Sequence, residues 1–567
     1  LVRVNRALPL LVLLLLAAVL YFPGLGQLPF YTIGEPREAL EVWEEIHNGE
    51  WLLPCRNGTD LPSKPPLFHW LGGLTALATG EVDEFAARFP SALLATLTLL
   101  LVYWLAAKRY SAAVAVYAAC MLATNFEWIR AARSARVDMT LTAFLTGAFI
   151  AFNFVATAAR PRLLALVLFY LCMGLATLAK GPLGFLLPGL VALLYLALRR
   201  DLRRLWRMHV VLGGALAIGL PACWYVLAAL RGGAAFVHKQ VLVENLMTFF
   251  GWTSDPGTPA HSFFYVVPAF FTGFAPWSVL TIPLGVQLYR NRRRLDADGD
   301  LYPLVWFLAI FLFFMVAAGK RTVYLLPAYP AAALLLGAWW SRLSTGGMAL
   351  APVWVRAVRG VALAATALAL VLAAAAVAEA LGWRPLDLLS PFLHHTDREN
   401  LPLVHQIIQS HPLAFILWAA LLGIAGATLV ATTWRRQWAG AFAALVLCVT
   451  GTAFIVNEVL HPELAARRTL KPFLVTVRER IKGGGDLAFY RGFDYGTVFY
   501  WRQRIPVVAD DLREISASGR DRNLLLWESE WRRLSPEDQQ LLNVVERSAG
   551  TGPDGKDHLL LARLRSG

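Results

Sequence analysis

Apolar runs separated by short polar turns make up most of this chain. A helix that crosses a bilayer needs about 20 apolar residues. Such runs begin near Leu8, Pro66, Pro90, Ser111, Val137, Arg162, Pro182, His209, Phe263, Leu301, Thr322, Arg356, Pro412 and Gln437. The run Pro66–Gly80 is short and broken by Gly72–Gly73, and the placement of basic residues decides its status. Arg3 and Arg6, Lys108–Arg109, Arg160–Arg162, the stretches Arg199 to Arg207 and Arg290 to Arg294, Arg356–Arg359 and Arg435–Arg436 all fall inside only if Pro66–Gly80 is not a span. It is therefore predicted to lie on or dip into the interface. About thirteen spans remain, with the N-terminus inside and the C-terminus outside. The first run resembles a signal peptide but has no small-residue cleavage site, so it is expected to stay as the first span.

After Asn457 the pattern changes. LAFYRG, IPVVA, NLLLWE, LNVVER and HLLLARL alternate as short strands with helical stretches such as Thr469–Lys482 and Asp511–Ser516. Ser535 reads as a helix N-cap. The predicted division is a transmembrane part, 1–457, carrying a first outer loop at 24–89, and a small soluble α/β domain, 458–567. GGG at 483–485 lacks the context of a phosphate-binding loop.

Composition supports this division. Hydrophobic residues make up 57% and charged residues 16%, against about 25% charged in soluble proteins. The net charge of +14 comes from arginines between spans, so topology explains it better than nucleic-acid binding. Five scattered cysteines form neither a disulfide framework nor a zinc module.

Chemistry concentrates on the outer side. In GEPREALEVWEEIHNGEW, Pro36 suits the first turn of a helix that Gly49 ends. A solvated face accounts for Glu38, Glu44 and Glu45. Glu35, at the mouth of the first span, is the first candidate acid. Lys64 is presented from the stiff turn SKPP and suits a phosphate ligand or a lipid headgroup anchor. Asp138 opens a span, where a charge is costly unless paired or functional. Arg130, Arg133 and Arg136 precede it against the positive-inside trend, so something negative should compensate them. Lys180 and Lys320–Arg321–Tyr324 occupy very short outer turns, and Lys320 and Tyr324 meet at i, i+4 if helical. Glu and His residues on this side are not at ligand spacing, and no metal site is expected.

In combination, GEPREA, GEWLLP, KPPLFHWL, FAARFPSALLATLTLLLVYWLA, RSARVDMTL, KGPLGFLLPG, VENLMTFF, FAPWS and YLLPAYPAAALL, in that order, resemble membrane glycosyltransferases of the GT-C superfamily. The likeness runs over roughly 8–340 and is to the bacterial aminoarabinose (lipid A) transferases, with protein O-mannosyltransferases more distant. The resemblance implies a polytopic helical GT-C fold with juxtamembrane helices. It implies an inverting transfer of a sugar from a polyprenyl-phosphate donor to a lipid, glycan or protein acceptor, at the periplasmic face of a bacterial inner membrane. It implies Glu35 and Asp138 as catalytic acids, and Arg37, Lys64, Arg133, Arg136, Lys320 and Tyr324 as ligands of the donor phosphate or substrate. If the acceptor is itself a phosphate, no base is needed and the acids serve positioning. No cofactor, nucleotide or nucleic acid is expected, and the chain is expected to act as a monomer among membrane lipids.

The sequence departs from the family at four places. Gly34 stands where the family carries Asp, and Ser63 replaces the acid before Lys-Pro-Pro. Asn245 and Thr248 stand where the family has His and Arg. A metal contact found in relatives is accordingly not expected here, and the sugar and acceptor do not carry over. The alternative class is a transporter or lipid flippase, which calls for charges near mid-span and inverted repeats; no internal repeat stands out.

Overall fold

The computed structural model describes residues 7–252, 261–297, 299–347, 352–392, 398, 401–481, 486–508, 512–513, 522–553 and 557–564. Arg3, Arg6, the GGG at 483–485 and most of Asp511–Ser516 lie outside the described residues.

Every apolar run becomes a helix or a bent pair of helices. Among the described residues eight are long and apolar enough to cross a membrane, or up to ten if each bent pair is one span, and three shorter apolar helices, Ala7–Tyr21 (α1), Leu183–Leu198 and Leu301–Val316, stand at other runs. The run Pro66–Gly80 forms only the 13-residue helix Leu67–Thr79 (α3), which continues through Gly72–Gly73 and ends at Gly80 in the left-handed region. It packs against Gly34–His47 (α2) and Glu84–Arg109 (α4). Short polar caps set the breaks: the Asp83 carboxylate accepts the Ala86 N–H at 2.8 Å at the start of α4, and Asn125 caps Phe126–Ala132 (α6), accepting the Trp128 N–H at 3.0 Å. The helix Ala112–Ala123 (α5) meets α6 at 68°. Val137–Thr157 (α7) and Leu163–Lys180 (α8) form an antiparallel hairpin. The start of α7 therefore meets the end of α8.

All five expected strands are present: Leu487–Tyr490 (β1), Val507–Val508 (β2), Asn523–Trp527 (β3), Leu542–Arg547 (β4) and Leu559–Leu564 (β5). The sheet order is β2-β1-β3-β5-β4. β1 lies parallel to β2 and β3, whereas β5 runs antiparallel to β3 and β4. Ser535 caps a helix as expected, its Oγ accepting the Asp538 N–H at 3.1 Å.

Alternation along the strands gives the sheet two apolar faces. Ala488, Leu524, Leu526, Leu560 and Ala562 close one core. Phe489, Leu525, Leu559 and Leu561 join Leu40, Val42, Trp43 and Phe68 in another. The segment 24–89 and the C-terminal sheet thus share a core. Polar contacts reinforce it: Asn57 donates to the Ile505 carbonyl at 2.7 Å and accepts the Ile505 N–H at 2.8 Å, and Arg504 donates to Glu44 at 2.7 Å. The helical path also runs without a break from Trp438 past 457 through Val456–Leu460 into His461–Arg468.

This covering overturns one expectation. Glu38, Glu44 and Glu45 are not a solvated face; all three are buried, as is Glu41. Their cover comes from α3, the next helix in the chain, on one side and from the C-terminal part, remote in sequence, on the other.

Candidate active site

The site grows from the α7–α8 hairpin. Asp138 occupies the first turn of α7, where a carboxylate complements the exposed N–H groups of the helix end, and Lys180 ends α8, where a cation complements the carbonyls. The hairpin brings the two into a short ion pair. Arg136 stands beside them, with Nε 3.7 Å from Asp138 Oδ2. Tyr324 lies under the ammonium, with its ring centroid 3.9 Å from Lys180 Nζ.

Two cavities meet at this ion pair. One, of about 350 Å³, is walled mainly by apolar groups such as Leu183, Leu186, Phe249, Phe250, Phe313 and Phe314, and carries Lys64, Lys180, Glu244 and Tyr324. The other, of about 400 Å³, is polar and lined by Arg130, Arg136, Arg321, Asp138, His261 and Tyr265. The segment 321–324 runs between them, with Arg321 facing one and Tyr324 the other. The Arg321 carbonyl accepts the Tyr324 N–H at 3.1 Å, and its guanidinium is turned into the polar cavity. Arg130 pairs with Glu127.

The structure brings together Lys64, Asp138, Arg136 and Tyr324 among the expected site residues. Lys64 Nζ also holds Glu244 Oε2 at 2.5 Å. The others are directed elsewhere. Arg37 pairs with Glu38 at 2.7 Å, and Arg133 with Glu458 at 2.9 Å. Lys320 donates to the Met315 carbonyl at 3.0 Å. Lys320 and Tyr324 do not share a helix face, because Arg321 is extended and the turn that follows is a 3-10 helix starting at Thr322.

Glu35 lines neither cavity. Arg88 donates to it twice, Nε to Oε1 at 2.8 Å and Nη2 to Oε2 at 3.0 Å, and the Ala135 N–H donates to Oε1 at 3.1 Å. Burial works to raise this carboxyl, but the charge and hydrogen bonds of Arg88, the Ala135 N–H and the charge of Arg136 hold it below the ordinary carboxylate range. Glu35 is therefore an anion with its lone pairs engaged, and it fixes the backbone next to Arg136.

Gly34 has a defined steric role. A Cβ on Gly34 would lie 1.8 Å from Arg136 Nη1. The guanidinium thus occupies the space that a side chain at 34 would fill. Ser63 Oγ accepts from Arg56 at 3.2 Å, and the Asn245 amide donates to the Gln240 carbonyl.

Sequence reasoning left three participants out of the site. Lys180 was recognisable as a cation in a short outer turn, and the lengths of the two helices would have paired it with Asp138. Arg321 sat in the same kind of turn. Arg88, a charge one turn into α4, was visible as an anomaly in an apolar run. The expectation that no Glu and His come to ligand spacing is also overturned: Glu38, Glu41 and His69 present three ligand atoms within 4.8 Å of one another.

A bundle of apolar helices bearing short outer turns, juxtamembrane helices and a charged cleft at one face defines a GT-C-type membrane fold. Its solved counterpart is ArnT from Cupriavidus metallidurans, determined bound to undecaprenyl phosphate; the two share 20% identity and a TM-score of 0.73, over 97% of each chain. Residues 63–240 match the family model for dolichyl-phosphate-mannose-protein mannosyltransferases. The chain is 28% identical over 483 residues to undecaprenyl phosphate-alpha-4-amino-4-deoxy-L-arabinose arabinosyl transferase 2 of Sodalis glossinidius, covering 83% of this chain and 80% of that one. It is 31% identical over 327 residues to an uncharacterized protein of Aquifex aeolicus, covering 57% of this chain and 62% of that one. With that protein and with the arabinosyl transferase of Pectobacterium carotovorum, the match spans about three-fifths of the relative's length.

Proposed function

We propose that this chain is an inverting glycosyltransferase that moves a sugar from a polyprenyl-phosphate carrier to an acceptor at the periplasmic face of a bacterial inner membrane. The N-terminus would lie in the cytoplasm and the C-terminal sheet in the periplasm. The observation that carries this reading is the Asp138–Lys180 pair standing between an apolar cavity and an arginine-lined one. The apolar cavity suits a prenyl chain, and Lys64, Lys180 and the Tyr324 hydroxyl suit its phosphate. The names of the relatives support a carrier of the undecaprenyl-phosphate type. The departures at Gly34, Ser63, Asn245 and Thr248 argue for a different sugar or acceptor.

In the proposed step an acceptor oxygen, positioned in the arginine-lined cavity, attacks the anomeric carbon from the face opposite the carrier phosphate. The bond from that carbon to the phosphate oxygen breaks, and its electron pair leaves with the phosphate. A hydroxyl acceptor gives its proton to Asp138; a phosphate acceptor needs no base. Lys64 and Lys180 offset the charge that grows on the departing phosphate, the contribution that carries most of the rate. Glu35, locked on Arg88, positions the 134–136 segment and takes no proton. Arg37 and Arg133, paired with Glu38 and Glu458, brace the outer loop. Lys320, buried and tied to the Met315 carbonyl, holds the turn that leads into 321–324.

The test is transfer in reconstituted membranes from a panel of labelled polyprenyl-phosphate sugars. Wild type should transfer at least one of them. Lys64→Ala should raise the donor KM about 10- to 100-fold, as expected for loss of a hydrogen bond to a charged group, and lower kcat as well, because the same ammonium meets the charge that grows on the leaving phosphate. Undiminished donor affinity in that variant would remove Lys64 from the site.

Gly34→Ala offers a separate check on Arg136. The clash falls on the mobile tip of that side chain, so the thermal midpoint should barely move. Transfer should fall about 10- to 100-fold as the guanidinium is displaced by more than an ångström. Unchanged transfer would show that Arg136 has no part in the reaction.

A further inference from the structure

Helix α2 turns Glu38, Glu41 and Glu45 toward α3, at spacings that place them on one stripe. Facing them is His69, on the first turn of α3. Its Nε2 lies 2.9 Å from Glu38 Oε2 and 3.2 Å from Glu41 Oε2. One N–H cannot serve two carboxylates well, and only the approach to Glu38 has hydrogen-bond geometry. Neither Glu41 oxygen has a hydrogen-bond partner, although both are buried. Glu45, one turn further on, is also buried, with both oxygens lacking a hydrogen-bond partner. Its Oε2 lies 3.0 Å from where a Cβ on Gly73 would be, so the absent side chain at 73 leaves room for it.

We infer that Glu38, Glu41 and His69 form a structural site for a divalent cation of the zinc type, stapling α2 to α3. Ligands at about 2.0–2.2 Å in a tetrahedron stand about 3.3 Å apart. The observed separations from His69 to the two carboxylates are close to that, so a cation between them requires shifts of only a few tenths of an ångström. Glu41 Oε2, buried without a hydrogen-bond partner, offers a lone pair that a cation between Glu38, Glu41 and His69 would use. The other oxygens of Glu38 and Glu41 already hold Arg37 and Arg56, at 2.7 and 3.2 Å. Those arginines orient the carboxylates, as outer partners do around bound metals. One nitrogen with carboxylate oxygens suits zinc better than magnesium or calcium, which prefer oxygen alone. The site is separate from both cavities at the Asp138–Lys180 pair. Its consequence is mechanical, because α3 follows directly on the turn that presents Lys64.

The test is the metal content of the purified full chain, with its affinity tag removed, after dialysis against metal-free buffer. About one zinc per chain is expected, with background levels in His69→Gln and Glu41→Gln. Thermal unfolding of the wild type gives a reading that needs no variant. A strong chelator should lower the midpoint by several degrees, zinc should restore it, and magnesium should not. A wild type without stoichiometric metal, and with a midpoint indifferent to chelator and zinc, would overturn the site and leave His69 as an imidazolium shared by two carboxylates. Equal zinc in the wild type and in a folded His69→Gln protein would overturn it as well.

Discussion

Asp138→Asn is expected to lower kcat for a hydroxyl acceptor by about 10²- to 10⁴-fold, the range for loss of a positioned general base. The substitution keeps the shape of the side chain and an oxygen for Lys180. It removes the charge and the ability to accept a proton. Donor KM should change little, because the groups proposed to hold the carrier phosphate are Lys64 and Lys180. A purely structural role predicts a different outcome. If Asp138 only neutralises Lys180, then Asp138→Glu, which keeps the charge, would retain activity along with stability. The expectation here is that Asp138→Glu keeps most of the stability and loses most of kcat, because its carboxylate is shifted relative to the acceptor. Steady-state transfer kinetics paired with thermal unfolding of the two single variants distinguish the two.

The second large effect is on folding. Arg88→Met is expected to destabilise the protein by about 3–5 kcal/mol, the usual result of leaving one member of a buried ion pair alone. Arg88 is buried and donates to both oxygens of Glu35, and its Nη1 also donates to the Leu25 and Leu28 carbonyls at 2.9 and 2.5 Å. Its guanidinium covers the Phe30 ring at 4.9 Å. Adding Glu35→Gln should recover part of the loss, since an amide is cheaper to bury than an unpaired carboxylate. A chemical-denaturation series on the single and double variants measures both.

The same pair gives a pH dependence. Glu35 is held below the ordinary carboxylate range in the folded state, so its contribution is present above that range. It is lost as pH falls through the lowered folded value. Acid should therefore destabilise the wild type more steeply than Glu35→Gln.

Span positions and strands were legible from the sequence because they are local. A run of about 20 apolar residues or a two-residue alternation survives whatever packs against it, and the apolar runs and all five strands fall where these patterns put them. The Ser535 cap is local in the same sense, whereas the break expected at Gly72–Gly73 is absent: α3 runs through both glycines, which let Val42 and Trp51 approach closely. The acidic stripe of α2 was not legible. Its amphipathic pattern is that of a wetted helix, but Arg504, which covers Glu44, lies far along the chain, and His69 arrives on a different helix. The Lys320–Tyr324 pairing failed for a backbone reason, an extended Arg321 where an α-helical turn was assumed. Asp138 was recognised from the cost of its charge, and its partner Lys180 follows only once α7 and α8 are folded against each other. Glu35 matched a motif by position, yet the motif could not show that Arg88 and the Ala135 N–H already occupy its lone pairs.

The central claim is that the Asp138–Lys180 junction breaks a sugar–phosphate bond. The most direct measurement uses a carrier labelled in both the sugar and the prenyl phosphate, with the protein reconstituted in liposomes containing an acceptor lipid extract. The expected result is sugar label in the acceptor, with its anomeric configuration inverted, matched mole for mole by free polyprenyl phosphate, and neither signal with Asp138→Asn. Movement of the intact doubly labelled carrier across the bilayer with no bond broken, and equal in wild type and variant, would contradict it.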